Sequence, residues 1–209
     1  FGEIPAGADV EKMNPMPVTL AETKRLYHED NFANTAQYTM AFPTVEMYNP
    51  DAYALTALSD ILAGGKKSPM YNVLVKEKKL TSRVGAYNMA QLLAGTFRIS
   101  VSANPGVSLT DVEKAIFEAF ERFEAEGFTE RDLEKVKAGQ ETRFYNMISS
   151  IDGKSKQLAE YNMYAGDPAF YRKDMEAMKA VTVDDVKRVY DKYIKGKNFV
   201  ATSFVPRGK

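Results

Sequence analysis

The sequence predicts an α+β domain, a two-layer fold with a mostly antiparallel mixed sheet and helices packed on one face. Three observations carry that expectation. Strand-like stretches come in pairs, with helical stretches between and after them. Within residues 95–103, Phe97, Ile99 and Val101 alternate with Arg98, Ser100 and Ser102, the pattern of a sheet with one wet face. Three helical patterns then follow one another without an intervening strand, which disfavours a doubly wound βαβ arrangement.

Residues 1–17 hold Pro5, Pro15 and Pro17 with Gly2 and Gly7. They read as a linker or wrapped arm, or as an ordered N-terminal extension, because proline withholds amide donors from helix and sheet. Residues 18–209 form the domain proper. Its first strand pair is expected at 19–28 and 35–44, across the polar turn Glu29-Asp30-Asn31, with Tyr38, Met40 and Phe42 alternating. Asn49 as N-cap and Pro50 at the first helical position start a helix that carries Tyr53, Leu55, Leu58, Ile61 and Leu62 and stops at Gly64-Gly65. Ser68-Pro69 starts a shorter helix over 70–78, and a second strand pair follows at 82–90 and 95–103.

Thr110 with Glu113 reads as a capping box, ahead of the stripe Val112, Ile116, Ala119, Phe120 and Phe123 and a stop at Gly127. Thr129 with Asp132 opens a helix to about Ser149. A helix over 153–164 ends at Gly166, Asp167-Pro168 starts another, and Thr182 with Asp185 starts the last. A closing strand is expected at 198–205.

Composition excludes several chemistries. With no cysteine there is no disulfide, thiolate metal site, iron–sulfur cluster or cysteine nucleophile. A single histidine, His28, leaves neither HExxH nor HxxEH writable in the chain. The 28 basic residues balance 28 acidic ones, which argues against the clustered positive charge of a nucleic-acid binder. No apolar run approaches the roughly 18–20 residues of a membrane span. The start at Phe1 rather than Met leads us to expect a longer parent chain.

Few local motifs suggest a site. His28 lies beside Glu29 and Asp30 and reads as a surface residue at a strand end. Gly64-Gly65-Lys66-Lys67-Ser68 fails the phosphate-loop pattern and follows a helix rather than a strand, so it reads as a turn in which Ser68 caps the next helix. Lys76-Glu77-Lys78-Lys79 reads as a solvated face. Arg143, Lys154 and Lys156 near Tyr145 and Tyr161 are interleaved with Glu141, Asp152 and Glu160, which weakens any basic stacking surface. The scattered methionines read as core and interface filler.

Four stretches carry a family resemblance: Ala41-Phe42-Pro43-Thr44; Leu58-Ser59-Asp60-Ile61-Leu62-Ala63-Gly64-Gly65; Ser68-Pro69-Met70-Tyr71-Asn72-Val73-Leu74-Val75-Lys76-Glu77; and Thr182-Val183-Asp184-Asp185-Val186. With Phe1-Gly2-Glu3-Ile4-Pro5 as the end of a linker, their order resembles the second, inactive domain of the pitrilysin/insulinase family of zinc metallopeptidases, which includes the mitochondrial processing peptidase. The likeness runs over residues 1–207.

The resemblance implies a half-enzyme of two similar α+β domains. The first carries HxxEH and the zinc, and the second lacks the ligands and walls a peptide-degrading chamber. By that likeness this chain holds no catalytic, cofactor-binding or metal residue, and zinc belongs to the paired catalytic domain. The parent is expected to be a zinc metalloendopeptidase of the periplasm or cell envelope. The implied partner is a catalytic domain of the same polypeptide or a homologous subunit, with peptide substrates met only indirectly, no nucleic acid and no membrane span. Some second domains of the family supply an Arg and a Tyr to substrate; those positions fall here on Val75 and Ser82. Arg83 and Tyr87 lie nearby without motif support. Two other readings are a scaffold subunit of the same fold without proteolysis, as in respiratory core proteins, and a stand-alone peptide-binding module using an exposed strand edge.

Overall fold

In the computed structural model all residues are described except Phe1, Ala6, Asp9, Val10, Lys12, Gly208 and Lys209, so the opening Phe1-Gly2-Glu3-Ile4-Pro5 lies partly outside the described residues. Among the described residues there are five strands: β1 (Lys24–Asp30), β2 (Gln37–Thr44), β3 (Thr81–Ala90), β4 (Gly95–Ala103) and β5 (Val200–Pro206). They form one mixed sheet in the order β1-β5-β2-β4-β3. β1 and β5 run parallel and every other pair is antiparallel. The α+β expectation holds, with one change of pairing. β5 is inserted between β1 and β2, so the first two strands are not a hairpin. Pairing with β5 also moves β1 later than expected, because the ladder starts at Lys24 opposite Val200.

The helices are α1 (Pro50–Ala63), α2 (Leu109–Glu126), α3 (Glu130–Met147), α4 (Ile151–Glu160), α5 (Tyr171–Ala180) and α6 (Val183–Tyr193). Their starts follow local chemistry. Asn49 accepts from the Asp51 amide, with Pro50 opening α1. Thr129 with Asp132 and Thr182 with Asp185 form reciprocal capping boxes. The third expected box does not form. Ser108 is the N-cap of α2, and Glu113 instead accepts the Tyr38 hydroxyl at 2.5 Å and pairs with Arg25. A long-range partner has taken the carboxylate that a local box would use.

Gly64 ends α1 because an added Cβ would meet the Asp60 carbonyl oxygen at 2.3 Å, while Gly65 supplies the positive φ of +119°. The segment expected as a helix over 70–78 is π-helical over Tyr71–Glu77, and its first turn is capped by Ser68, which accepts from the Tyr71 amide. α4 runs into a second π-helical turn, Tyr161–Ala165, which ends at Gly166 with φ +73°. Asp167 caps a turn by accepting from the Ala169 amide, so α5 begins at Tyr171 rather than at Pro168.

The core lies between one face of the sheet and the helices. Tyr38, Met40 and Phe42 of β2 and Phe97, Ile99 and Val101 of β4 are buried beneath Leu55, Leu58 and Leu62 of α1, Val112, Ile116 and Phe120 of α2, and Val186 and Val189 of α6. Each such side chain contributes about 1.5–3 kcal/mol of burial.

Two acidic residues tie the helical layer together. Asp174 of α5 accepts the hydroxyls of Tyr53 and Tyr161, each at 2.6 Å. Asp51 of α1, 7% exposed, accepts from Arg188 at 2.6 Å, Lys192 at 2.9 Å and the Tyr193 hydroxyl at 2.6 Å, locking α1 to α6.

Burial alone would raise the Asp51 pKa, but the Tyr193 hydroxyl, Lys192 and Arg188 together outweigh it and hold the group at about 2. A carboxylate whose folded pKa lies below its unfolded value stabilises the fold at pH above the unfolded value, and that contribution is lost as pH falls towards 2. Asp51→Asn is therefore expected to cost about 2 kcal/mol in urea unfolding at pH 7, and the difference from wild type should shrink as the pH is lowered through 4 to 2.

Candidate interaction face

Strand alternation divides the sheet into two unlike surfaces. The register places Thr39 and Ala41 of β2, Thr96, Arg98 and Ser100 of β4, Gly85, Tyr87 and Met89 of β3, Thr202 and Phe204 of β5, and Leu26 and His28 of β1 on the face opposite the core. The buried rows of β2 and β4 belong to the other face.

The middle of this open face is floored by small residues: Thr39, Ala41, Ser100, Thr202 and Gly85. Larger side chains flank it, with Leu26, His28 and Phe204 on one side and Tyr87 and Met89 on the other. Leu26, Phe204, Tyr87 and Met89 are exposed. At inter-strand steps of about 4.8 Å the five strands span about 19 Å, wide enough for an α-helix of about 10–12 Å between the larger flanks.

Arg98 sits near the centre, opposite Ala41 on one neighbouring strand and Tyr87 on the other. Its Nε is buried and has no hydrogen-bond partner among the described residues. Leaving such a donor unpaired costs about 1–3 kcal/mol, more than most surface contacts return. Tyr87 is drawn into the same neighbourhood. The Ser100 side chain, and after burial's opposing effect the Arg98 guanidinium, hold its phenol below the usual tyrosine value. A second apolar exposure, at Tyr145, Ile151, Leu158 and Met163, follows α3 and α4, with no unpaired polar atom beside it among the described residues.

The residues singled out in the sequence take other places. His28 stacks on Phe204, centroids 5.2 Å apart, at the rim of the open face. Among the described residues no group of three His, Cys, Asp or Glu is placed to hold a metal ion, so the side chains present do not fit zinc. Ser68 is buried, donating to the Gly65 carbonyl and accepting from Tyr71, which leaves Gly64-Gly65-Lys66-Lys67-Ser68 a turn and not a phosphate cradle. The cavity beside it, about 620 Å³, mixes Lys66, Lys67, Lys135 and Arg143 with Asp60, Glu126 and Asp132. Arg143 is taken by Asp60 at 2.7 Å.

In the Lys76-Glu77-Lys78-Lys79 run, Glu77 binds Arg122 through two hydrogen bonds and Lys78 pairs with Glu118, so the run fastens the π-helical segment to α2. Tyr161 is buried and bonded to Asp174, which removes it from any stacking surface. Arg83 is exposed at the start of β3, next to an irregularity in the β3–β4 register. Of these residues Tyr87 and His28 lie on the open face.

The alternation around Arg98 is legible in the sequence, whereas its place as the polar centre of the face opposite the helices is not. The signal was present as a single charged residue within a row otherwise composed of Thr and Ser. Chemically the face offers apolar contact and a guanidinium donor. Hydroxyls of Thr39, Ser100, Thr202 and Tyr87 lie on the same face, with the His28 imidazole at its rim.

The peptidase M16 inactive domain family matches residues 1–140. The zinc protease PqqE of Helicobacter pylori is 28% identical over 148 residues, covering 69% of this chain and 32% of that protein. Among solved structures, a protease from Helicobacter pylori superimposes with TM-score 0.79 at 22% identity, over 94% of this chain and 48% of that one. The inactive peptidase domain of a zinc protease from Bordetella parapertussis gives 0.74 at 21%, over 83% of this chain and 93% of that one. A chain of complex III2 from Candida albicans gives 0.74 at 14%, over 88% and 46%. The chain thus spans about a third to a half of the two Helicobacter proteins it matches.

The open face makes a testable demand on the isolated chain. Arg98→Met keeps the unbranched stem out to the ε position and removes the unpaired donor. It is expected to raise unfolding free energy by about 1 kcal/mol, read as a higher thermal midpoint. An unchanged or lower midpoint would mean that the buried Nε is not a cost.

Proposed function

Because the chain belongs to the peptidase M16 inactive-domain family, we propose that it is the non-catalytic domain of a zinc metalloprotease, docked through its open sheet face onto a zinc-bearing HxxEH domain. In this reading residues 1–17 link the two domains and residues 18–209 form the inactive one. The zinc-bearing domain belongs to the same polypeptide or to a homologous subunit. The zinc and its water chemistry lie wholly in that partner, and the present domain walls a chamber that admits peptide and excludes bulk solvent.

The observation that carries the reading is the buried Nε of Arg98, without a hydrogen-bond partner among the described residues, near the centre of the face opposite the helices. A docked element that laid apolar side chains between Leu26 and Tyr87 and offered a carbonyl or carboxylate, onto which the Arg98 side chain turned its Nε, would remove that cost. The short, small floor of the face suits a helix better than a loop.

Two measurements test the reading. The isolated chain should bind no stoichiometric zinc and hydrolyse no unfolded peptide; bound zinc with turnover would overturn it. In the parent protein, Arg98→Glu should lower peptide hydrolysis by about tenfold or more while zinc content is retained, because the docked domain, and not the metal site, is disturbed. Full activity in that variant would contradict the docking role.

A scaffold role without proteolysis is the second reading, favoured by the fold shared with a chain of complex III2. It is distinguished by the parent protein: a purified parent without zinc or peptidase activity, yet assembled with other subunits, would select it.

A further inference from the structure

β1 is an edge strand, paired among the described residues with β5 alone. The Lys24 amide donates to the Phe199 carbonyl and the Arg207 amide donates to the Asp30 carbonyl. In an extended strand the amide and carbonyl of one residue point the same way, and alternate residues point oppositely. The even residues of β1 therefore face β5, and Arg25, Tyr27 and Glu29 present their amides and carbonyls to the unpaired edge. The strand is exposed on both sides as well. Leu26 is 59% and Tyr27 is 66% exposed.

The edge reads Lys24-Arg25-Leu26-Tyr27-His28-Glu29-Asp30, basic at one end and acidic at the other. Charged edges usually repel neighbouring strands. Here the charge order is self-complementary when the strand is reversed. With a second β1 antiparallel and Tyr27 opposite Tyr27, Lys24 meets Asp30, Arg25 meets Glu29, and Leu26 meets His28.

Every one of those pairs shares a sheet face. Arg25, Tyr27 and Glu29 lie on the helix side, and Lys24, Leu26, His28 and Asp30 lie on the open side. The pairs centred on Tyr27 are also the ones whose amides and carbonyls point outward, so each can exchange both backbone hydrogen bonds. Charge order, side-chain parity and backbone direction therefore select one register.

We infer that two copies of this chain pair through β1, antiparallel and centred on Tyr27, joining their sheets across a two-fold axis. The contact is isologous, as such symmetry requires. Arg25 stays within reach of its own Glu113, and Glu29 stays near its own Arg207 at 3.8 Å, so each cross-strand ion pair adds to an existing network. On the helix side the two Tyr27 rings meet over the groove lined by Tyr38, Phe117 and Val205. On the open side Leu26 of each copy adds to the His28–Phe204 stack of the other. The edge is distinct from the middle of the open face, so this pairing stands or falls independently of docking to a zinc-bearing domain.

Sedimentation equilibrium of the chain, taken up to about 0.5 mM, is expected to show a reversible monomer–dimer equilibrium that weakens with salt. Tyr27→Pro removes an outward amide without touching the β5 ladder and should abolish the dimer while the circular dichroism and thermal midpoint stay close to wild type.

Arg25→Glu and Glu29→Arg each place like charges opposite one another and should each weaken self-association at least about tenfold. Mixed in equal amounts, the two variants should associate with one another about as tightly as wild type does with itself, because both cross-strand pairs are then opposite in sign. The double variant R25E/E29R should likewise dimerise. A chain that stays monomeric over the whole range, a dimer indifferent to Y27P, or a mixture no tighter than its components would each overturn the inference.

Discussion

Much of the structure depends on one row of buried side chains crossing the sheet, Tyr38, Met40 and Phe42 on β2 beside Phe97, Ile99 and Val101 on β4. Strand side chains alternate with a period of two, so a one-residue slip would send the whole row to solvent. Covering it with α1, α2 and α6 fixes the register of β2 and β4, and β3 and β5 are set from those strands. The same alternation fixes the opposite row as well. Thr39, Ala41, Arg98 and Ser100 face outward because their neighbours must face inward. The open face is a consequence of core packing, and what it presents is then set by residue choice: small in the middle, apolar at the sides, one guanidinium at the centre.

The single histidine lies against Phe204 at the rim of the open face, and the acidic residues nearest the helices are engaged in structure, Asp51 with Arg188, Lys192 and Tyr193, and Asp174 with two tyrosines. Asp51 and Asp174 are thereby bound up in holding helices together.

Much of the fold was legible in the sequence because local chemistry decided it. The helix starts at Asn49-Pro50, Thr129 and Thr182, the stop at Gly64, and the alternation of residues 95–103 all rest on contacts within a few residues. The departures arose where a distant partner decided. Glu113 is drawn from a capping box to Tyr38 and Arg25, and β5, from the end of the chain, separates β1 from β2. Neither contact has a local signature. The open face was half legible. Alternation announced a wet surface, but the cost carried by Arg98 depends on which atoms end up around its Nε, and that is a property of the assembled sheet.

The central claim is that the open face is covered in the parent protein. The chain contains no cysteine, so Ser100→Cys introduces a single thiol beside Arg98, in the middle of that face. The rate of its modification by a small maleimide, measured in this chain alone and in the parent protein made free of other exposed cysteines, reads coverage directly. The account expects rapid labelling in the isolated chain and labelling at least about tenfold slower in the parent, where a docked element excludes solvent from the site. Equal rates in the two would contradict it.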